Sequence, residues 1–285
     1  MNLSLLHSAG PLLAGYDVVF CDVWGVVHDG VRAHPEACLA LAQFRRRGGS
    51  VVLISNAPST AAEVAALLDR KQVSREAWDA IVTSGDLTRL RIGETGVRRI
   101  FHIGATRGEH VFDGLGVSLV DVHEADAIVA TELVDYYSET PDDYRDVLTD
   151  AVSRRLPFIC ANPDLVVHVG DDLLPCAGAL AVIYRDLGGD VYWAGKPHRP
   201  IYERALALAH DARGSEVDRS RILAIGDALR TDIAGARAFG IDALFIAGGI
   251  HRDEVLRDEI IDRVLLRHLV GSQADGVVGV MKGLA

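Results

Sequence analysis

The segment Asp17-Val18-Val19-Phe20-Cys21-Asp22-Val23-Trp24-Gly25 sets the architecture of this chain. Val18 to Cys21 form a short apolar, β-rich run of the kind that is buried on both faces in a parallel sheet. Asp22 places a carboxylate at the C-terminal tip of that strand, and a glycine turn follows at once. Open α/β sheets bind ligands in the crevice outside the carboxyl ends of their strands. Asp22 is therefore a candidate nucleophile. Two residues on, where a second acid would serve proton transfer, the chain carries Trp24.

The pattern outward from this segment alternates short strands with helices, which implies a parallel α/β sheet. Strands are predicted at Val18–Cys21, Ser50–Ile54, Ala80–Val82, Arg221–Ile225 and Ala243–Ile246. Helices are predicted at Pro35–Arg47, Thr60–Lys71, Asp86–Ile92, Pro200–Ala212, Asp232–Phe239 and Arg252–Leu269. Gly48-Gly49 and Gly240 suit helix C-termini. The middle of the chain repeats the pattern, with strands at Arg99–Ile103, Ala127–Ala130 and Pro157–Cys160 and helices at Pro141–Ser153 and Gly178–Leu187. Pro141 sits where a first helical turn accepts proline. This organisation predicts a second α/β domain at 97–192, inserted into a discontinuous core made of 1–96 and 193–285.

With 285 residues the chain suits one large or two modest domains, at about 150 residues per domain. The net charge of −11 argues against nucleic-acid and anionic-membrane partners, which bind basic patches. An anionic substrate must then be drawn by a local cation. Cys21, Cys38, Cys160 and Cys176 form no Cys-x-x-Cys pair and read as buried free thiols in a reducing, cytoplasmic compartment. Met1 to Gly15 lacks a basic n-region and reads as a mature segment of a soluble protein. No apolar run approaches the roughly 20 residues of a membrane span.

Four separated spots have the makings of one phosphate site. Asp22 can attack phosphorus and form an acyl phosphate, which splits one hard step into two. Ser55-Asn56, straight after a strand, can hold a phosphoryl oxygen. Lys196, within Gly195-Lys196-Pro197-His198, can neutralise the nucleophile and the transferring group. Asp227 and Asp232, within Gly226-Asp227-Ala228-Leu229-Arg230-Thr231-Asp232, flank a strand-to-helix turn and can bind a hard cation such as Mg²⁺. Each spot alone also fits a plain cap, turn or surface residue.

In order and spacing, the four spots resemble the haloacid dehalogenase (HAD) superfamily, and most closely its class IIA branch of 4-nitrophenylphosphatase-like and sugar-phosphatase-like enzymes. Ala161-Asn162-Pro163-Asp164, Pro175-Cys176-Ala177-Gly178-Ala179 and Gly195 through Tyr202 carry the resemblance beyond the core motifs, as does Gly226-Asp227 through Ile233. The resemblance implies a Rossmann-like core with an inserted α/β cap domain. It implies Mg²⁺ held by Asp22, the backbone carbonyl of Trp24 and Asp227, with Asp232 in support. Ser55 would bind the phosphoryl group with Asn56 nearby, and Lys196 would stabilise the charge. Asn162 and Asp164 fall in the loop most like the family's substrate-facing cap loop. The class of substrate it supports is a small phosphorylated metabolite, and relatives of this branch often dimerise through the cap.

Trp24 departs from the family pattern, which has an aspartate there as general acid and base, a role typically worth 10²–10⁴-fold in rate. Several readings follow. The chain is a Mg²⁺-dependent phosphoric monoester hydrolase that works slowly, through an aspartyl-phosphate intermediate, on esters with good leaving groups. Or His28, whose ordinary pKa is about 6.5, replaces the missing acid/base group, with Asp29 as a lesser candidate. Or the fold binds a phosphorylated ligand without turnover, or transfers the phosphoryl group to an acceptor other than water. Trp24 itself either stacks on a planar substrate or fills space.

Overall fold

The computed structural model describes residues 3–135, 137–169 and 172–285; Met1 and Asn2, at the start of the segment read above as mature, lie outside them. The chain divides into two compact units. One comprises Met1–Ser55, Ala62–Val82 and Lys196–Ala285, the other Asn56–Ala61 and Thr83–Gly195. In chain order the strands are β1 (Val18–Asp22), β2 (Ser50–Ser55), β3 (Ala80–Thr83), β4 (Arg99–Ile103), β5 (Ser118–Leu119), β6 (Ala127–Ala130), β7 (Phe158–Cys160), β8 (Val166–Val169), β9 (Asp172–Pro175), β10 (Val191–Trp193), β11 (Ile222–Gly226), β12 (Asp242–Ile246), β13 (Leu256–Arg257), β14 (Ile260–Ile261) and β15 (Val277–Met281).

The first unit holds a sheet of order β15-β12-β11-β1-β2-β3, and the pairings from β2 through β15 are parallel. Counted along the chain this is the doubly wound order 3-2-1-4-5-6, whose direction reverses between β1 and β11. Every residue of β1, β2 and β11 is buried, which is why their sequences are continuous apolar runs with no alternation. The helix Pro35–Arg46 shows how local sequence serves this core. Proline opens it, Glu36 lies in its first turn and Arg45 and Arg46 in its last, all matched to the helix dipole. It buries Ala37, Cys38, Ala40, Leu41 and Phe44, a stripe at helical spacing. Burying one such leucine or phenylalanine stabilises by roughly 1.5–3 kcal/mol, so Leu41→Ala would loosen this helix most directly.

The second unit holds an all-parallel sheet of order β10-β7-β6-β4-β5. Its core packs Ile128, Leu148, Phe158, Leu180 and Tyr184. The Tyr184 hydroxyl donates to Leu156 O at 2.6 Å, which satisfies the one polar atom of a fully buried ring. The hairpin β8–β9 belongs to this unit.

The parallel-sheet α/β architecture expected from the sequence is present, with differences in detail. The helix expected over Arg252–Leu269 is two helices, Arg252–Val255 and Arg263–Val270, separated by the antiparallel hairpin β13–β14. Asp258 and Glu259 take positive φ at its turn, a conformation no helix tolerates, and Asp262 then caps the second helix through Val264 and Leu265 N–H. The helix expected over Asp232–Phe239 is regular α-helix only from Ala234, after a wide π turn at Leu229–Ile233. The helix expected from Pro141 begins as a 3₁₀ turn, Pro141–Tyr144. The four cysteines are free and buried. No described helix is long and apolar enough to cross a membrane.

Candidate active site

Parallel pairing sets β1 and β11 side by side, with Cys21 level with Ile225. Asp22 ends β1, and Asp227 follows the last residue of β11. Both carboxylates therefore fall at the point where strand order reverses, the place where open α/β sheets leave a crevice. The π turn brings in a third. A π turn is wider than an α turn and is frequent at functional sites. Here it holds Asp232 so that one oxygen accepts Ala228 N–H at 3.1 Å and the other faces Lys196. Lys196 Nζ donates to Asp22 Oδ1 and, at 2.7 Å, to Asp232 Oδ1.

All four charged groups are buried, none more than 8% exposed. One oxygen from each of Asp22, Asp227 and Asp232 lies within 4.8 Å of the others. Three carboxylates against one ammonium leave two negative charges uncompensated when all are ionised. The electrostatics register that excess. Burial pushes the Asp22 carboxyl up, to about 7, against the pull of Lys196 and with a further push from Asp232. Burial, then the Asp22 and Asp232 charges, hold Asp227 well above the usual carboxylate range. Burial works against the Lys196 charge, but Asp22 and Asp232 outweigh it and keep the ammonium protonated. A dry group of oxygen donors with two charges to offset fits a hard divalent cation.

Gly25 is needed at the edge of this cluster. Its φ is +84°, and a Cβ there would lie 2.0 Å from Asp227 Oδ2. Ile250 N–H donates to Asp227 Oδ2 at 2.7 Å. Sequence reading passed over this donor; the pair Gly248-Gly249, one residue beyond β12, was the signal, since glycines near a strand tip mark a close backbone approach. Buried Tyr202, whose hydroxyl reaches toward the carbonyls of Thr231 and Asp232 at 3.4 Å, was passed over as well.

The other candidates divide between the two units. Ser55 is buried at the end of β2 in the first unit, and Trp24 is half-buried. His28 is 2% exposed; burial holds its ring near pKa 4, and Nδ1 accepts Gly30 N–H at 2.9 Å. Asn56, Asn162 and Asp164 form a separate group in the second unit. Asn56 Nδ2 donates to Asp164 Oδ1 at 2.9 Å, and Asp164 N–H donates to Asn162 Oδ1 at 3.1 Å.

Fold and cluster together place this chain in the haloacid dehalogenase-like hydrolases, class IIA: it belongs to that family. Residues 19–118 match the family model described as haloacid dehalogenase-like hydrolase, and residues 193–269 match one described as HAD-hydrolase-like. The chain is similar to a crystal structure of a hydrolase of the haloacid dehalogenase-like family from Brucella suis 1330. The two share 45% identity and a TM-score of 0.86 over 99% of this chain and 100% of that one. It is 26% identical to the D-glycerol 3-phosphate phosphatase of Mycobacterium tuberculosis over 83% of this chain and 64% of that protein. It is 28% identical to the ribonucleotide monophosphatase NagD of Escherichia coli K12 over 81% of this chain and 88% of that protein. The chain thus spans less than two thirds of the length of the mycobacterial relative.

Proposed function

We propose that this chain is a divalent-cation-dependent phosphoric monoester hydrolase acting on a small phosphorylated metabolite, with Asp22 as the nucleophile. The observation that carries this reading is the Asp22 carboxylate at the sheet's reversal point, held by Lys196 among Asp227 and Asp232. The names of the similar proteins support it, since each of the two curated relatives is a phosphatase of a small phosphate ester.

A carboxylate oxygen of Asp22 attacks phosphorus in line. A P–O bond to Asp22 forms, and the P–O bond to the leaving oxygen breaks with its electron pair. Water then attacks the phosphorus of the aspartyl phosphate, the Asp22 carboxylate is released, and the proton that water yields ends on the departed oxygen through solvent. Lys196 holds Asp22 in one orientation and offsets charge on the transferring group. Ser55 donates its hydroxyl to a phosphoryl oxygen, and Asn56 supports the same loop. Asp22, the Trp24 carbonyl and Asp227 are the ligands we assign to Mg²⁺, with Asp232 in support. A cation there supplies charge stabilisation for the phosphoryl oxygens. Asn162 and Asp164 are our candidates for substrate selection, within an inserted cap at 97–192. Four buried free thiols favour a reducing compartment, and we assign the protein to the cytoplasm.

The test is phosphate release from a panel of phosphate esters with Mg²⁺, for the wild type and Asp22→Asn. Release that vanishes in the variant is expected. No release from the wild type would favour a second reading, which Trp24 motivates: a protein that binds a phosphorylated ligand without turnover.

A further inference from the structure

We propose that Trp24 is the specificity-determining residue of this site, and that it restricts turnover to phosphates whose oxygen departs as a stable anion: aryl, enol and acyl phosphates. The inference rests on the hydrolase reading above and deepens it.

Trp24 is held in place by a closed turn. Val27 and His28 N–H donate to Val23 O at 2.9 and 3.2 Å, and Gly25 N–H donates to His28 O at 2.8 Å. Gly30 N–H donates to His28 Nδ1, and Lys71 Nζ donates to Gly30 O. The indole meets this turn directly. His28 lies edge-on to it, with ring centroids 6.5 Å apart and planes at 75°. Gly30 has φ +89°, and a Cβ there would stand 3.0 Å from Trp24 Cζ2. Only glycine satisfies both the backbone and the ring. His28 is thus a positioning residue for the indole.

The groups gathered at Asp22 in the first unit are already engaged. Lys196 donates to Asp22 and Asp232, the other Asp232 oxygen accepts Ala228 N–H, and Asp227 accepts Ile250 N–H. His28 Nδ1 accepts Gly30 N–H, so the neutral ring has its proton on Nε2 and no open lone pair. The indole has a donor N–H but no acceptor and no transferable proton. With Asp22, Asp227 and Asp232 ionised around the cation assigned to them above, and the Lys196 ammonium committed to Asp22 and Asp232, none of these side chains is left to protonate a departing oxygen. A poor leaving group then loses the general-acid contribution of about 10²–10⁴-fold; an aryl, enol or acyl oxygen needs no such help.

The experiment uses the full chain with Mg²⁺ and compares kcat/KM for 4-nitrophenyl phosphate, phenyl phosphate and glycerol 3-phosphate. A fall of at least about 10²-fold across the series is expected for the wild type. Trp24→Asp should narrow the series, raising kcat/KM for the glycerol ester relative to 4-nitrophenyl phosphate by a similar factor. Equal kcat/KM across the series, with release still dependent on Asp22, would overturn this inference alone: a proton donor from elsewhere in the chain would then be acting. No release from any ester would overturn the hydrolase reading and this inference with it. The wild-type series decides even where the variant does not fold. The clamp has its own readout, acrylamide quenching of Trp24 emission, taken as the difference from Trp24→Phe. Quenching should rise in His28→Ala and return in His28→Asn, whose amide oxygen stands in for Nδ1. Equal loss of turnover in both His28 variants with unchanged quenching would make His28 a proton-transfer group and contradict the assignment.

Discussion

The two units are built alike and charged differently. Each is a parallel sheet with helices, wound from short apolar strands. In the first, the buried polar groups include Asp22, Lys196, Asp227 and Asp232; in the second, Asn56, Thr83, Ser84, Thr88 and Thr131 are all neutral among the described residues. Burying ions costs several kcal/mol each even after relaxation, whereas a hydrogen-bonded hydroxyl or amide costs little. The fold alone therefore does not demand the charges, since the second unit makes the same kind of sheet without them. Their presence at one sheet's reversal point is what supports the proposal that this unit is the seat of the chemistry.

The comparison breaks most visibly at Lys196. Lys196→Met leaves buried carboxylates without their cation, and a loss of about 3–5 kcal/mol is expected by chemical denaturation in EDTA. Mg²⁺ should recover part of that loss. A loss of well under 1 kcal/mol would mean that the carboxylates are not ionised together.

A pH experiment sharpens the contrast. The folded Asp22 carboxyl lies above its unfolded value, at about 7. Its contribution is fully present below the ordinary carboxylate pKa of about 3.9 and is lost as pH rises through about 7. In EDTA, the stability read from hydrogen exchange at β1, corrected for the intrinsic rate at each pH, should therefore fall as pH rises from about 4 to about 7, and Mg²⁺ at 100 times its Kd should raise it by about 2.7 kcal/mol. His102 in the second unit has the opposite sign. Burial lowers it to about 4. Its contribution is present above the ordinary value of about 6.5 and is lost as pH falls toward 4. The same corrected stability at β4 should accordingly fall only on acidification, with no response to Mg²⁺.

The smallest effect belongs to a neutral pair. His102 Nε2 and Thr131 Oγ1 lie 2.9 Å apart. Thr131→Val should cost about 1–3 kcal/mol through the stranded ring nitrogen, and leave turnover of 4-nitrophenyl phosphate unchanged. A large drop in turnover would show that the second unit carries chemistry of its own.

Much of this was legible in the chain. The Asp22 strand tip, the strand-to-helix turn at Asp227 and the Lys196 segment stood out because glycine, proline and charge interrupt apolar runs at those points. The meeting of Lys196 with Asp22, 174 residues apart in sequence, comes from sheet order, which no local pattern encodes. The hairpin β13–β14 was hidden because Arg252 to Leu269 has helical periodicity on both sides of its turn, and only positive φ at Asp258 and Glu259 separates the two halves. Strand β15 was missed because Val277-Val278-Gly279-Val280-Met281 is a short run with a central glycine, which ordinarily weakens a strand. His28 is a candidate substitute proton carrier from its distance along the chain; the acceptor bond at Nδ1, which bears on that role, is visible only in the folded turn.

The central claim is that Asp22 is the nucleophile. The most direct measurement mixes the protein with 4-nitrophenyl phosphate and Mg²⁺, follows the first turnover, and maps covalent phosphate by mass spectrometry after acid quenching. The expected result is a burst of 4-nitrophenol, with phosphate on the peptide that contains Asp22 and none in Asp22→Asn. Steady release with no burst and no adduct, continuing in Asp22→Asn, would contradict it.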